Sequence, residues 1–169
     1  MDNQQERLGS LDFLGGLITG EGCFSFLITR NRKRGMISPA FQMFMMDKET
    51  VEYAYEILKQ NRLPGYFETR RVNQSGGTLH GVRVHGVKSL KRFCEALIPH
   101  LMGDKKRAAQ TALDFSDYRI ELGHGAGYSS KDVDFVRKMR EINGNKANAR
   151  IALEELPRIL RDYTSDIAR

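Results

Sequence analysis

Residues 14–22 read LGGLITGEG, an unusual sequence for the end of a helix. Gly15 and Gly16 fall in the helix interior, where a glycine costs about 1 kcal/mol relative to alanine. Gly16 and Gly20 lie four residues apart, as do Gly15 and Thr19, so small residues line one side of the helix. A fraying helix end would explain Gly20 but not the two interior glycines. We therefore predict that a second backbone packs closely against this helix.

Glu21 is equally unusual, because a carboxylate at a helix C-terminus meets the negative end of the helix dipole. If the close partner is the same helix of a second subunit, two such carboxylates come together and repel. A divalent cation would remove both problems, since carboxylate and carbonyl oxygens suit magnesium and similar hard ions. Paired metal sites of this kind can activate water against a phosphodiester.

The rest of the chain alternates between helical and strand periodicity. After the first helix, which we expect to begin with Ser10 as its cap, two strands alternate apolar and polar residues around a basic tip. Asp47 caps the next helix, and a second pair of strands follows over residues 66–72 and 78–85. Further helices begin near Val87, Lys105, Ser130 and Asn145. This order predicts an α+β fold, αββαββα, with a four-stranded antiparallel sheet, helices on one face and extra C-terminal helices.

Charge is unevenly distributed along the chain. The 169 residues contain 27 Lys and Arg against 21 Asp and Glu, a net charge of +6. Residues 61–110 alone carry ten basic and three acidic side chains, whereas the flanking regions are nearly neutral. A second basic cluster forms the tip of the first hairpin at residues 30–34. Localised positive charge suggests a polyanionic partner such as nucleic acid, although solvated loops can also be basic.

One face of the predicted sheet is polar. If the alternating apolar residues of the strands point to the core, the opposite positions carry hydrogen-bonding side chains. A solvated sheet face would also be polar, but a polar face bordered by basic hairpins can lie along a DNA groove. The positions concerned are Ser25, Thr29, Gln42, Tyr66, Glu68, Arg70, Arg83 and His85.

Several stretches of the sequence resemble a known protein family. Residues 14–22 resemble the signature of the LAGLIDADG homing endonucleases, and residues 10–115 as a whole are similar to that family. The similarity includes residues 81–101 (GVRVHGVKSLKRFCEALIPHL) and the basic run at residues 105–107. The motif occurs once, which in this family implies a homodimer.

The resemblance implies a specific activity and site. It implies an intron-encoded, site-specific endonuclease whose sheet forms a saddle on a long pseudo-palindromic double-stranded DNA site, cut to leave short 3′ overhangs. Glu21 and the Gly20 carbonyl would hold Mg²⁺, a site that Mn²⁺ or Ca²⁺ can also occupy, and Lys105, or else Lys106, would be the catalytic lysine. Leu14, Gly15, Gly16 and Thr19 would form the dimer interface. The expected DNA contacts are Ser25, Thr29, Arg30, Arg32, Lys33, Arg34, Ser38, Gln42, Tyr66, Glu68, Arg70, Arg83, His85 and Lys106.

The sequence departs from the family pattern in three places. The acid is Glu21 where Asp is commoner, Thr19 stands where a first acid often sits, and Met45 occupies a position that is often polar. Asp104 could also pair with Lys105, and residues 104–107 fit an ordinary capped helix start. A non-cleaving RNA maturase or DNA-binding regulator on the same fold is the alternative function, but such a protein has no need of a repelling carboxylate pair at its dimer axis.

Composition sets the remaining expectations. The length fits a single domain over residues 1–169, with its core in about 10–115 and a helical extension over about 128–165. No run of about 18 apolar residues and no signal-peptide pattern occurs, which predicts an intracellular protein, in the cytoplasm or nucleoid of a prokaryote or in an organelle, with no membrane partner. Cys23 and Cys94 are too few for a disulfide framework.

Overall fold

A computed structural model describes residues 2–31, 34–72, 76–144, 151–160 and 163 of the chain. None of the helices in these segments is both long enough and apolar enough to cross a membrane. The elements follow one another as α1 Asp2–Glu21, β1 Gly22–Asn31, β2 Arg34–Met45, α2 Lys48–Gln60, β3 Tyr66–Arg71, β4 Thr78–His85, α3 Val87–Leu97, α4 Gly103–Leu122, α5 Ser130–Ile142 and α6 Leu156–Ile159, with short 3-10 helices at Ile98–His100 and Leu153–Glu155.

The four strands form one antiparallel sheet in the order β1-β2-β4-β3. Each hairpin pairs its own strands, and β2 joins the two hairpins by pairing with β4 from Ala40 to Met45. The helices pack on one face of this sheet, so the predicted α+β architecture is confirmed.

One element boundary differs from the sequence prediction. α1 begins at Asp2, so Ser10 lies inside the helix instead of capping it. α3 begins at Val87 as predicted and ends at Leu97, where Pro99 lies in a tighter 3-10 turn. The predicted cap of α2 is confirmed: Asp47 accepts hydrogen bonds from the Thr50 amide at 3.3 Å and the Thr50 hydroxyl at 2.6 Å. Asn145, the predicted start of a last helix, lies outside the described residues.

The main core lies between the sheet and helices α1 to α4. Its centre is a group of aromatic rings in which Phe41 packs against Phe24 and Phe93, with ring centroids 5.0 and 4.7 Å apart. Leu14 and Ile18 of α1 are buried in the same cluster. The alternate residues of each strand therefore point inward, as their period of two predicts.

A second cluster, the C-terminal core, covers the outer part of the β1–β2 hairpin. It joins Ile37 of β2 to Phe115, Tyr128, Leu156 and Leu160. β4 pairs with β2 only as far as Ala40. The part of β2 that precedes Ala40 therefore has no β4 strand along its edge. The Tyr128 hydroxyl takes the place of the missing strand: it accepts from the Ile37 amide at 3.1 Å and donates to the Ile37 carbonyl at 3.4 Å. Further along, Gly35 forms a parallel bridge with Leu160.

Candidate nucleic-acid interface

The polar positions predicted on the sheet all lie on the face away from the helices. Cross-strand partners share a face, and the register aligns Cys23 with Gln42, Gln42 with Arg83, and Arg83 with Tyr66. The next row on the same face aligns Ser25 with Ala40 and His85, and Thr29 and Ser38 have the same parity. We call this surface the groove face. The residues on it are Cys23, Ser25, Leu27, Thr29, Met36, Ser38, Ala40, Gln42, Phe44, Tyr66, Glu68, Arg70, Leu79, Gly81, Arg83 and His85.

An ion-pair network organises the β3–β4 half of the groove face. Glu68 accepts from the Arg70 Nε at 2.6 Å with one oxygen and from the Arg83 NH1 at 3.1 Å with the other. The hydrogen bond from Arg70, supported by that from Arg83, holds the pKa of the Glu68 carboxyl below its usual value. The three side chains therefore carry a net charge of +1.

Phe44 is a member of this network that the sequence prediction missed. Its ring lies across Gly81, where an added Cβ would come within 2.3 Å of a ring carbon. The Arg70 guanidinium lies over the same ring, 4.3 Å from its centroid. The alternation of β2 already places Phe44 on this face, but an aromatic residue at a polar position carries no signal of its partner in the sequence.

The carboxylate and the lysine implied by the resemblance both lie where α1 meets β1. Glu21 is the last residue of α1 and its side chain is exposed. Lys105, near the start of α4, donates from Nζ to the Gly22 carbonyl at 2.5 Å. Lys106 is exposed, and Asp104 pairs with Arg107 at 2.9 Å. Of the two candidate lysines, Lys105 is the one hydrogen-bonded to the residue that follows Glu21.

The residues of the 14–20 segment of α1 divide into two groups, one that faces the rest of the chain and one that faces open space. Leu14 is buried in the main core, and a Cβ on Gly15 would lie 2.4 Å from the His100 carbonyl oxygen. Thr19 donates to the Gly15 carbonyl at 2.8 Å and accepts weakly from the Met102 amide at 3.4 Å. At Gly15, the close backbone predicted for this helix is a 3-10 turn of the same chain, and Leu14 and Gly15 face the interior of this chain.

The second group of residues faces open space. Gly16 and Gly20 have no atom within 4 Å of an added Cβ, and both are exposed. Next to them, Phe13 is 43% exposed and packs edge-on against Tyr53 of α2. This side of α1 is apolar and small, as a helix–helix contact requires, and the dimer interface stays a prediction.

The metal ligands implied by the resemblance can be compared with the acidic groups among the described residues. In the part of the chain that the structure describes, no group of three His, Cys, Asp or Glu side chains is close enough to hold an ion. Glu21 and the carbonyl of Gly20 at the helix end are hard oxygen donors of the type that Mg²⁺ prefers. The donor set fits a divalent cation if a second copy supplies the other carboxylate.

Two further expectations can be placed only in part. Met45 is half-buried and packs against the main core, so an apolar side chain occupies the position that is often polar in the family. Arg32 and Lys33 of the hairpin tip lie outside the described residues, as do the side chains of Arg30 and Arg34.

No protein-family model matches the sequence, and no curated protein sequence is significantly similar to it. Solved structures do match. The homing endonuclease I-CvuI in complex with its target, in the presence of Ca, aligns with a TM-score of 0.65 and 18% identity over 92% of this chain and 94% of that chain. The same enzyme with the I-CreI target and Mg, its DNA not cleaved, aligns with a TM-score of 0.64 and 15% identity over 91% and 96%.

A third structure differs in length. The LAGLIDADG homing endonuclease I-GzeII in complex with its DNA target aligns with a TM-score of 0.55 and 18% identity over 90% of this chain but 50% of its own. These matches cover nine-tenths or more of this chain, which is more than residues 10–115 alone. The resemblance in the sequence is thus confirmed in three dimensions, and the chain has the fold of the LAGLIDADG homing endonucleases.

Proposed function

We propose that this chain is a site-specific endonuclease that binds a long pseudo-palindromic DNA site as a homodimer and hydrolyses both strands with a divalent cation, leaving short 3′ overhangs. The observation that carries the proposal is that the Lys105 ammonium is held on the carbonyl of Gly22, the residue that follows Glu21 at the junction of α1 and β1. A homodimer that only binds DNA has no need of two repelling Glu21 carboxylates at its axis.

The groove face supports DNA as the partner. It presents Gln42, Tyr66 and two arginines from three adjacent strands, with the helices all on the opposite side. Arginine and glutamine are the side chains that read guanine and adenine edges in the major groove. The similar structures are described as complexes with DNA targets, which favours the same use of this face here.

Glu21 and the Gly20 carbonyl are the residues that would hold the cation. When bound, a divalent cation lowers the pKa of water and stabilises the leaving oxygen of a phosphodiester. The hydrogen bond to the Gly22 carbonyl fixes the Lys105 ammonium near this point, where it would stabilise negative charge that develops on the scissile phosphate. Lys106, which is exposed one position further on, would contact a phosphate.

Two observations support a homodimer. The chain spans 96% of the I-CvuI chain but 50% of the I-GzeII chain, so one copy corresponds to half of the longer protein. The open side of α1 at Gly16 and Gly20 allows a second backbone to approach closely. Two copies packed there would bring their Glu21 carboxylates together, and the cation would relieve that repulsion.

The test is a cleavage selection. A plasmid library carrying randomised inserts is incubated with the protein and Mg²⁺, and linearised plasmids are sequenced to give the site and its symmetry. We expect Glu21→Gln to keep binding to that site and to lose cleavage. The matched control is Glu121→Gln, because Glu121 is also an exposed acid in the last turn of a long helix. It should cut as the wild type does.

Other outcomes would contradict the proposal. Unchanged cutting by Glu21→Gln would remove Glu21 as the metal ligand. Tight, symmetric footprinting by the wild type with no nicking in Mg²⁺ or Mn²⁺ would instead favour a DNA-binding regulator. Preference for structured RNA over duplex DNA would favour a maturase.

A further inference from the structure

Glu68 is the one acid among the groove-face residues that the structure describes. It lies on the central part of β3, and its two oxygens contact both arginines of that face. The Glu68 and Arg83 side chains are only 27% and 23% exposed, so the contact between them is largely shielded from solvent. A surface that binds a polyanion would gain affinity from losing this acid, which requires an explanation.

The two arginines are held in defined orientations by their partners. The Arg70 guanidinium lies over the Phe44 ring, and its Nε donates a hydrogen bond to the Glu68 carboxylate. The end of its guanidinium, formed by NH1 and NH2, is an edge that this hydrogen bond does not use. Arg83 uses NH1 on the same carboxylate, which leaves its Nε and NH2 for a second acceptor. Each guanidinium thus keeps a pair of donors with which it can contact a base edge in a bidentate manner.

The charge of Glu68 affects phosphates and bases differently. A phosphate is a full negative charge, and a carboxylate within hydrogen-bonding distance of the arginine repels it. A guanine edge presents two acceptors, O6 and N7, without a formal charge. The acid therefore weakens arginine contacts to phosphates, which carry no sequence information, more than contacts to guanine.

We propose that Glu68 is a specificity-determining residue: it holds Arg70 and Arg83 for guanine edges in the major groove and disfavours use of the same arginines on phosphates. This inference rests on the proposed function, because it requires duplex DNA on the groove face. It goes beyond that function because it makes Glu68 the residue that determines whether the two arginines contact guanine edges or phosphates.

The test compares Glu68→Gln with Glu52→Gln. Both variants remove one negative charge, but Glu52 pairs with Lys48 on α2, on the other side of the sheet. Each protein is used to select binding sites from randomised duplexes in Ca²⁺ and is then titrated, at several salt concentrations, with its selected site and with a scrambled duplex. Thermal unfolding of each variant checks that the fold is intact.

For Glu68→Gln we expect tighter binding to the scrambled duplex. The plot of log K against log salt should also be steeper by about 0.9 for each phosphate that an arginine gains. The ratio of specific to scrambled affinity should fall about 5- to 150-fold, the range for one lost arginine–guanine pair. The loss of base preference should be confined to adjacent guanine positions in each half-site. Glu52→Gln should keep the wild-type preference at every position.

Three results would overturn the inference. Glu68→Gln could behave as Glu52→Gln does, which would make the effect one of overall charge. It could also bind all duplexes more weakly by the same factor, with a lowered unfolding temperature, which would make Glu68 structural. If the wild type itself binds no duplex, the proposed function fails and this inference fails with it; that result is distinct because it appears before any variant is compared.

Discussion

The main core and the C-terminal core are built by different means. In the main core, phenylalanine, leucine and isoleucine side chains close the space between the sheet and four helices. The C-terminal core has fewer apolar residues, and a buried polar cluster links its parts. Arg119 donates to the carbonyls of Ala126 and Gly127 at 2.8 Å each and to Asp132 at 3.2 Å, and its guanidinium lies 4.5 Å from the centroid of the Tyr128 ring.

This difference teaches how the outer hairpin is supported. Apolar burial is not directional, so the main core stabilises the sheet without fixing any one strand end. Hydrogen bonds are directional, and the polar cluster positions Tyr128, whose hydroxyl completes the edge of β2 at Ile37. The part of the groove face beyond β4 therefore depends on residues more than ninety positions away in the sequence.

The largest effect should come from the main core. Phe93 is fully buried between Phe41 and Phe24, and Phe93→Ala removes a ring that the surrounding side chains cannot replace. We expect a loss of about 3–5 kcal/mol in the free energy of unfolding, measured by urea titration. Leu122→Ala, at an exposed helix end, is the control and should change that free energy by less than about 0.5 kcal/mol. A loss below 1 kcal/mol at Phe93 would mean that the core repacks.

A smaller loss is expected in the polar cluster. Asp132 is fully buried, caps α5 through the Ser129 amide at 2.8 Å and accepts from Arg119. Asp132→Asn removes the charge but keeps the shape of the side chain. Because a hydrogen bond to a charged group contributes about 1.5–3 kcal/mol, we expect a loss of about that size in the free energy of unfolding. Asp134→Asn on the same helix breaks an exposed pair with Arg137 and should change the free energy of unfolding by less than about 1 kcal/mol. Equal losses in the two variants would contradict a special role for the buried cluster.

The two cysteines can show whether the cores unfold together. Cys94 is buried in the main core, and burial raises the pKa of its thiol to about 12, so the reactive thiolate is suppressed in the folded protein. Helix α4 contributes Ala112 to the main core and Phe115 to the C-terminal core. We therefore expect Asp132→Asn to raise the thiol-labelling rate of Cys94 by the factor that its loss in unfolding free energy implies, about 10- to 150-fold. An unchanged labelling rate, measured by mass spectrometry with Cys23 replaced by Ser, would mean that the C-terminal core opens alone.

The sequence predicts the main core well and the C-terminal core poorly, for physical reasons. The period-two alternation around Phe24 and Phe41 defines which face is buried, and Asp47 marks a helix start through local chemistry. The bond between Tyr128 and Ile37 joins residues 91 positions apart, and no local pattern encodes it. Likewise, the glycines of residues 14–22 indicate close packing, but only the structure distinguishes Gly15, which meets His100, from Gly16, which is open. The Glu68 network needs the cross-strand register, which the sequence leaves undetermined.

The smallest effect is expected from Tyr128→Phe. This change keeps the ring under Arg119 and removes only the hydroxyl that bonds both backbone groups of Ile37. The loss should be about 1–2 kcal/mol in the free energy of unfolding, because the Ile37 amide and carbonyl are buried and lose their partner. Amide hydrogen exchange at Ile37 should accelerate more than exchange at Phe41, whose neighbours on both sides are strands. Tyr118→Phe, which removes a hydroxyl that is hydrogen-bonded to the Ser129 side chain, is the matched control and should leave the Ile37 rate unchanged. Equal acceleration at Ile37 and Phe41 would show that the hydroxyl stabilises the whole domain and does not hold the hairpin edge in particular.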